Sequence, residues 1–129
     1  MQFRQIPEIL AGTKTQTRRV CKQGEDFVDL TDAAQWVDDA NGRLKWMIGR
    51  TYAVVPKRGQ KAIADGRIRI TDIRQERLHD ITEADARAEG VASVEEYRAL
   101  WESLHGRNPR CRWNSNPLVW VIQFEMEKS

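Results

Sequence analysis

Residues 12–19 read Gly-Thr-Lys-Thr-Gln-Thr-Arg-Arg, directly behind a short apolar helix signal at residues 5–11. In that helix Pro7 suits the first helical position, Ile6, Ile9 and Leu10 supply an apolar stripe, and Gly12 suits the left-handed end. Residues 15–20 then favour a β-strand. The octet packs one lysine, three threonine hydroxyls and two guanidiniums into one turn and one strand, a mixture that no hydrophobic core needs. A lysine of lowered pKa is a base or an electrophile, a threonine beside a base is a nucleophile, and Arg18 and Arg19 can hold a phosphate, a carboxylate or a base edge. The plainer alternative is an edge strand whose Thr and Arg side chains face water.

Outward from the octet, residues 22–46 are polar and hold no long periodic segment. Asn41-Gly42, between Trp36-Val37 and Leu44-Trp46, predicts a hairpin turn. Residues 49–55 read as a strand, with Tyr52, Val54 and Pro56 on one face. Residues 67–73 alternate as a half-buried strand after a turn at Asp65-Gly66, with Ile68, Ile70 and Asp72 set against Arg67, Arg69, Thr71 and Ile73. Thr82-Glu83-Ala84-Asp85 and Ser93-Val94-Glu95-Glu96 both match a capping box and open two helices. The first runs to about Glu89 and stops at Gly90. The second carries Val94, Tyr97, Leu100, Trp101 and Leu104 at helical spacing, a stripe that reads as core. A loop over residues 108–117 leads into a last strand, 118–126, apolar enough at its start to be central. Strands cluster around one helical pair with no repeated βαβ unit. The expected architecture is α+β, a small mixed or mostly antiparallel β-barrel with helices packed around its rim.

The 129 residues suit one domain, and 40% hydrophobic with 31% charged residues is the composition of a globular chain. A formal net charge of +2 does not mark a nucleic-acid binder, although basic residues cluster at 14–22, 57–61, 67–77 and 107–112. The two cysteines, Cys21 and Cys111, form no CxxC, and no short-spaced pair with His79 or His105 supports a metal site. No metal and no cofactor is expected. No apolar run has the length of a signal peptide or membrane span, so the expectation is a cytoplasmic protein without a membrane partner.

Taken together, the octet behind a helix, the Gly-Arg-Thr-Tyr strand start at 49–52, Arg-Ile-Arg-Ile-Thr-Asp-Ile at 67–73, Ile-Thr-Glu-Ala-Asp-Ala-Arg-Ala-Glu-Gly at 81–90 and the closing Val-Trp-Val-Ile-Gln-Phe-Glu strand resemble the ASCH domain family, including its phage-derived branch. The resemblance spans nearly the whole chain except residues 22–46 and 107–116. It implies a single PUA-like domain over residues 1–129. ASCH domains bind RNA or catalyse reactions. One small bacterial branch comprises amidohydrolases that remove the acyl group from N4-acetylcytidine, giving cytidine and a carboxylic acid. Its catalytic lysine and threonine match Lys14 and Thr17, its arginine matches Arg19, and its catalytic glutamate matches Glu89. The longer segment before the second strand and the loop near Arg110 depart from that branch, and both bear on which acyl group fits.

Hydrolysis of an N4-acylcytidine requires attack on an amide carbonyl and protonation of the departing amine. Lys14 and Thr17 supply the attacking pair if burial or the neighbouring Arg18 or Arg19 neutralises the lysine. Glu89 supplies the proton, and Thr15 or a backbone N–H supports the oxyanion. In a second scheme Glu89 activates water, Lys14 polarises the carbonyl and Thr17 orients the substrate. In a regular strand Lys14 and Thr17 point to opposite faces, so they converge only if Lys14 lies in the turn after Gly12 or at a bulge. Glu89, at the carboxyl end of its helix, gains nothing from the helix dipole, which favours a functional role. Tyr52 and Trp120 are candidate stacking platforms for a pyrimidine ring. The expected partner is a nucleoside or nucleobase. The alternative is an RNA-binding module, or a ribonuclease with Lys14 as base.

Overall fold

A computed structural model describes residues 1–31, 34–56, 61–62 and 66–127. The elements run α1 (Ile6–Leu10), β1 (Gln16–Val20), β2 (Asp26–Asp29), β3 (Gln35–Asp38), β4 (Leu44–Met47), β5 (Thr51–Ala53), β6 (Arg67–Arg77), α2 (Glu83–Ala88), α3 (Val94–His105) and β7 (Leu118–Met126). Strands β1, β7, β6 and β5 form a four-stranded sheet in that order, and β2, β3 and β4 form a three-stranded one. Every pairing between these strands is antiparallel. The final strand is central, as its apolar run implies. The α+β arrangement of antiparallel strands with helices around them is the one expected from the sequence.

Three apolar clusters hold the layers together. Val119 and Val121 of β7 meet Ala86 of α2 and Tyr97 and Trp101 of α3 on one face of the larger sheet. On its other face, Ile70, Ile73, Trp120 and Ile122 meet Val37 and Trp46 of the smaller sheet. Phe3, Ile9, Val54, Ile68 and Phe124 close the end beside α1. Among the described residues no helix is long and apolar enough to cross a membrane.

The structure departs from the sequence reading in three places. Residues 26–29 form the additional strand β2, whose Phe27 and Val28 are only half-buried, so no alternation marks it. Strand β5 is shorter than the apolar run at 49–55. Strand β6 runs on to Arg77, with its register shifting between Ile70 and Asp72. That bulge leaves Thr71 without a partner and turns Ile73 inward to pair with Ile122, whereas unbroken alternation sets it outward. The Asp65 half of the expected turn, and Lys57 of the basic cluster at 57–61, lie outside the described residues.

Arg18 is one of three charged residues buried among the described residues, with Lys14 and Glu89. Its side chain is fully enclosed, and Nη2 donates to Glu76 at 2.9 Å and to Asp85 at 3.2 Å. Burial pushes both carboxyls up, but hydrogen bonds outweigh it and hold them below their usual range, from Arg74 and then Arg18 at Glu76, and from Thr82 and then Arg18 at Asp85. Nε and Nη1 of Arg18 have no partner among the described residues, so the guanidinium is held by one nitrogen. Removing it leaves Glu76 and Asp85, both partly exposed, with Arg74 as their remaining cation. Arg18→Met is expected to cost about 1.5–3 kcal/mol, the scale of a hydrogen bond to a charged group, read as a lower urea midpoint.

Candidate active site

Strand β1 is an edge strand, and the candidate site is built along its open side. The bonds from Cys21 N–H to Leu118 and from Phe124 N–H to Thr15 place the odd-numbered residues of β1 in the ladder with β7. Gln16 and Arg18 therefore present their backbone groups outward. Lys14 and Glu89 occupy that edge. Nζ of Lys14 donates to the Gln16 carbonyl at 2.8 Å and to the Glu89 carbonyl at 3.2 Å. The Arg18 backbone N–H and the Tyr97 hydroxyl face the Glu89 carboxyl and favour its anion.

Lys14 itself lies ahead of the strand, in an isolated antiparallel bridge with Glu89. It lines the same cavity as Thr17 and Arg18, which leave β1 on opposite faces, so the cavity reaches both sides of the strand's open edge. Glu89 ends α2, and Gly90 follows at φ +90°, a left-handed turn that suits glycine. A Cβ at Gly90 would stand 3.2 Å from Cβ of Lys14, so the bare backbone also allows the lysine to approach.

The cavity is about 490 Å³. Lys14, Thr17, Arg18, Arg19 and Glu89 all line it, and Trp46, Tyr97, Trp101 and His105 contribute aromatic wall. Lys14 is 6% exposed and Glu89 2%. Their charged atoms are 3.8 Å apart, within ion-pair range but beyond a hydrogen bond, and Glu89 Oε2 is buried with no hydrogen-bond partner among the described residues. Burial is the largest influence on both groups. It pushes the Glu89 carboxyl up and the Lys14 ammonium down, against their mutual attraction. Each group is thereby moved toward its neutral form, an amine beside a carboxylic acid. Tyr97 is pushed well above its ordinary value, by burial first and then by Glu89, so it stays a hydroxyl donor.

Arg19 is fixed from three sides. Nε donates to the Thr17 hydroxyl at 3.2 Å, Nη2 to the Gln2 carbonyl at 2.7 Å, and the guanidinium lies 5.1 Å from the Phe3 ring centroid. The Thr17 oxygen thus accepts a charge-assisted bond and keeps its own proton free to give.

Four of the residues singled out in the sequence do not serve as expected. Thr15 is exposed, its N–H bound to the Ala88 carbonyl, and it does not line the cavity. Tyr52 packs between two apolar clusters, its hydroxyl accepting from the Met47 N–H at 2.9 Å. Trp120 is core, with its indole N–H donated to Glu25. Neither aromatic lines the cavity. Arg18 borders it, but its guanidinium is committed to Glu76 and Asp85. The aromatic wall comes instead from α3, where Tyr97, Trp101 and His105 recur every four residues, and the rings of Trp101 and His105 lie 4.2 Å apart. That spacing is visible in the sequence and reads there as core. The polar tips of Tyr97 and His105 are its one distinguishing mark. Among the described residues no group of three or more His, Cys, Asp or Glu could hold a metal ion.

Solved structures with this fold include an ASCH domain from Lactobacillus crispatus JV V101, with a TM-score of 0.64 at 16% identity over 92% of this chain and 67% of that one. A protein from Enterococcus faecalis V583, of family DUF984, matches over the same shares at 16% identity with a TM-score of 0.55. No family model and no curated protein matches the sequence. The chain has the fold of an ASCH domain.

Two stability measurements test this geometry. Gly90→Ala combines a strained left-handed backbone with contact against Lys14, and is expected to cost about 1–3 kcal/mol by urea unfolding. The Glu89 carboxyl has a folded pKa above its ordinary 4.5, so its contribution to stability is fully present below 4.5 and is lost as pH rises through the folded value. The stability of the parent relative to Glu89→Gln should therefore decline across that window. A difference that grows with pH would reverse the assigned direction.

Proposed function

We propose that this protein belongs to the ASCH family and is an amidohydrolase acting on the N4-acyl bond of N4-acetylcytidine-type substrates, releasing cytidine and a carboxylic acid. The observation that carries this reading is the buried Lys14–Glu89 pair, two groups that burial moves toward a free amine and a protonated acid in one cavity. Amide hydrolysis needs that set, a base for the attacking hydroxyl and an acid for the departing nitrogen. An RNA-binding site has no use for a carboxylate buried beside its lysine.

In the reaction, the two N–H bonds of neutral Lys14 point at the carbonyls of Gln16 and Glu89, which leaves the nitrogen lone pair for the proton of the nucleophile. Thr17 is that nucleophile. Its oxygen attacks the acyl carbon as its proton passes to Lys14, and Arg19 stabilises the developing charge on the oxygen. The carbon–nitrogen bond breaks as Glu89 gives its proton to N4 of cytidine. Water, deprotonated by Glu89, then releases the acid from the threonine ester, and Lys14 returns its proton to Thr17. Direct attack by water is the competing scheme, with Thr17 only orienting the carbonyl.

Purified protein mixed with N4-acetylcytidine should release cytidine, followed by ultraviolet absorbance. Lys14→Ala should abolish turnover, and Glu89→Gln should cost about 100-fold or more. Thr17→Val loses nearly all activity if the hydroxyl attacks, with Thr17→Ser keeping a measurable part. It loses about one to two decades if water attacks directly. A fully active Lys14→Ala protein sinks both schemes. The pH profile of kcat/KM should be a bell whose limbs belong to the Lys14–Glu89 pair, drawn inward from 4.5 and 10.5. Glu89→Gln should reduce it to a single limb.

A further inference from the structure

We propose that the mouth of this cavity carries a phosphate subsite formed by Arg4, Arg19 and His105, so that the preferred ligand is a pyrimidine nucleoside monophosphate rather than the bare nucleoside. The base end of that ligand rests on the reading given above. The phosphate end rests on the charges of the cavity wall. Lys14, Arg18 and Lys45 all line the cavity, and each has an acidic side chain as its partner: Glu89, Glu76 with Asp85, and Glu25. Arg4, Arg19 and Lys22 line it too, and among the described residues none of them forms an ion pair with a carboxylate.

Arg19 is the fixed member. Its bonds to Thr17 and Gln2 and its seat over Phe3 hold the guanidinium in one place, and Nη1 makes no hydrogen bond among the described residues. Burial holds its pKa below the ordinary value, with Glu89 and Tyr97 acting on it from the deep side. His105 lines the same cavity as both arginines. Its imidazole lies below the ordinary histidine value, from burial first and then from Arg19 and Arg4. Two guanidiniums and an imidazole gathered in the wall of one cavity repel. A phosphate monoester, with close to two negative charges and three acceptor oxygens, turns that repulsion into binding. The cluster suits one phosphate group rather than the track of cations that a long polyanion requires.

Binding of the dianion should raise the pKa of His105, which takes up a proton in the complex. The chain has two histidines, and His79, whose ring nitrogen meets the Trp113 carbonyl at 2.6 Å, serves as an internal control. The imidazole C–H proton resonances are followed against pH by nuclear magnetic resonance, with the protein alone and saturated with cytidine or with cytidine 5′-monophosphate. A further sample holds inorganic phosphate at the concentration of the monophosphate. The expected result is a midpoint for His105 raised by about one pH unit with the monophosphate, unchanged with cytidine or phosphate alone, and a fixed midpoint for His79. In Arg4→Gln the ratio of monophosphate to cytidine affinity should fall about tenfold, the worth of one charge-assisted bond. Equal His105 midpoints with cytidine and its monophosphate would overturn the proposal. So would inorganic phosphate alone reproducing the shift, or single-stranded RNA binding far more tightly than the monophosphate with a steep salt dependence. Neither cytidine nor its monophosphate carries an acyl group, so this measurement stands apart from the hydrolysis of N4-acetylcytidine, and each reading can fail without the other.

Discussion

Asp85 joins α2 to β1, and the position of the site depends on that joint. Its carboxylate accepts from the Thr82 N–H while its own N–H donates to the Thr82 hydroxyl, closing a capping box at the start of the helix. The same carboxylate accepts from Arg18 at 3.2 Å and Gln16 at 3.3 Å on β1, and from Arg74 at 3.4 Å on β6. One side chain thus fixes where α2 begins, which way it faces and which strand it lies against. Glu89 is four residues on and faces the same side of the helix. Lys14 is four residues before Arg18 on the approach to β1. Once Asp85 is docked on Arg18, Glu89 is carried to Lys14.

That joint also decides how charge is shared. Arg18 and Lys14 both face α2, and three carboxylates are within reach of that side of the sheet. Arg18 takes Glu76 and Asp85 in direct hydrogen bonds, and both acids titrate low, Glu76 through Arg74 and then Arg18, Asp85 through its Thr82 bonds and then the two guanidiniums. Lys14 keeps Glu89 at 3.8 Å, without a hydrogen bond between the charged atoms. The two ion pairs differ in consequence. The first is partly wetted, since Glu76 and Asp85 retain some exposure, and it stays ionised. The second is dry, and desolvation outweighs attraction for both partners. A wetted ion pair and a dry one thus arise side by side from a difference of burial and somewhat less than an ångström of separation.

Much of the framework can be read in the sequence because it rests on local rules. Pro7 and Gly12 bracket α1, Asn41-Gly42 turns the β3–β4 hairpin, and the Thr82 and Ser93 hydroxyls cap α2 and α3. The features missed are those set by distant partners. Strand β2 exists because β3 pairs with it, and the bulge at Thr71 exists because β6 must cover both Phe124 and Ile122 of β7. Lys14, Thr17, Arg19 and Glu89, singled out from the octet and the family resemblance, line one cavity. Thr15, Tyr52 and Trp120 could not be placed correctly, because sheet order and not spacing decides which strand face meets a cavity. Trp120 lies directly across the ladder from Arg19, yet sits in the closed core while Arg19 reaches the mouth.

An edge strand leaves alternate backbone groups without partners, and proteins usually blunt such edges with charge or cover. Here the cover is the buried Lys14–Glu89 pair itself. Lys14 donates to the outward carbonyl of Gln16, and Glu89 faces the outward N–H of Arg18. The backbone partners of the edge are therefore the same groups that orient the amine and the acid. This gives a reason why the candidate site lies on β1 rather than on β7, which pairs with β1 on one side and with β6 on the other. A central strand has no free carbonyl to hold a lysine, and a lysine with no such acceptor, driven toward neutrality by burial, would have nothing to fix the direction of its lone pair.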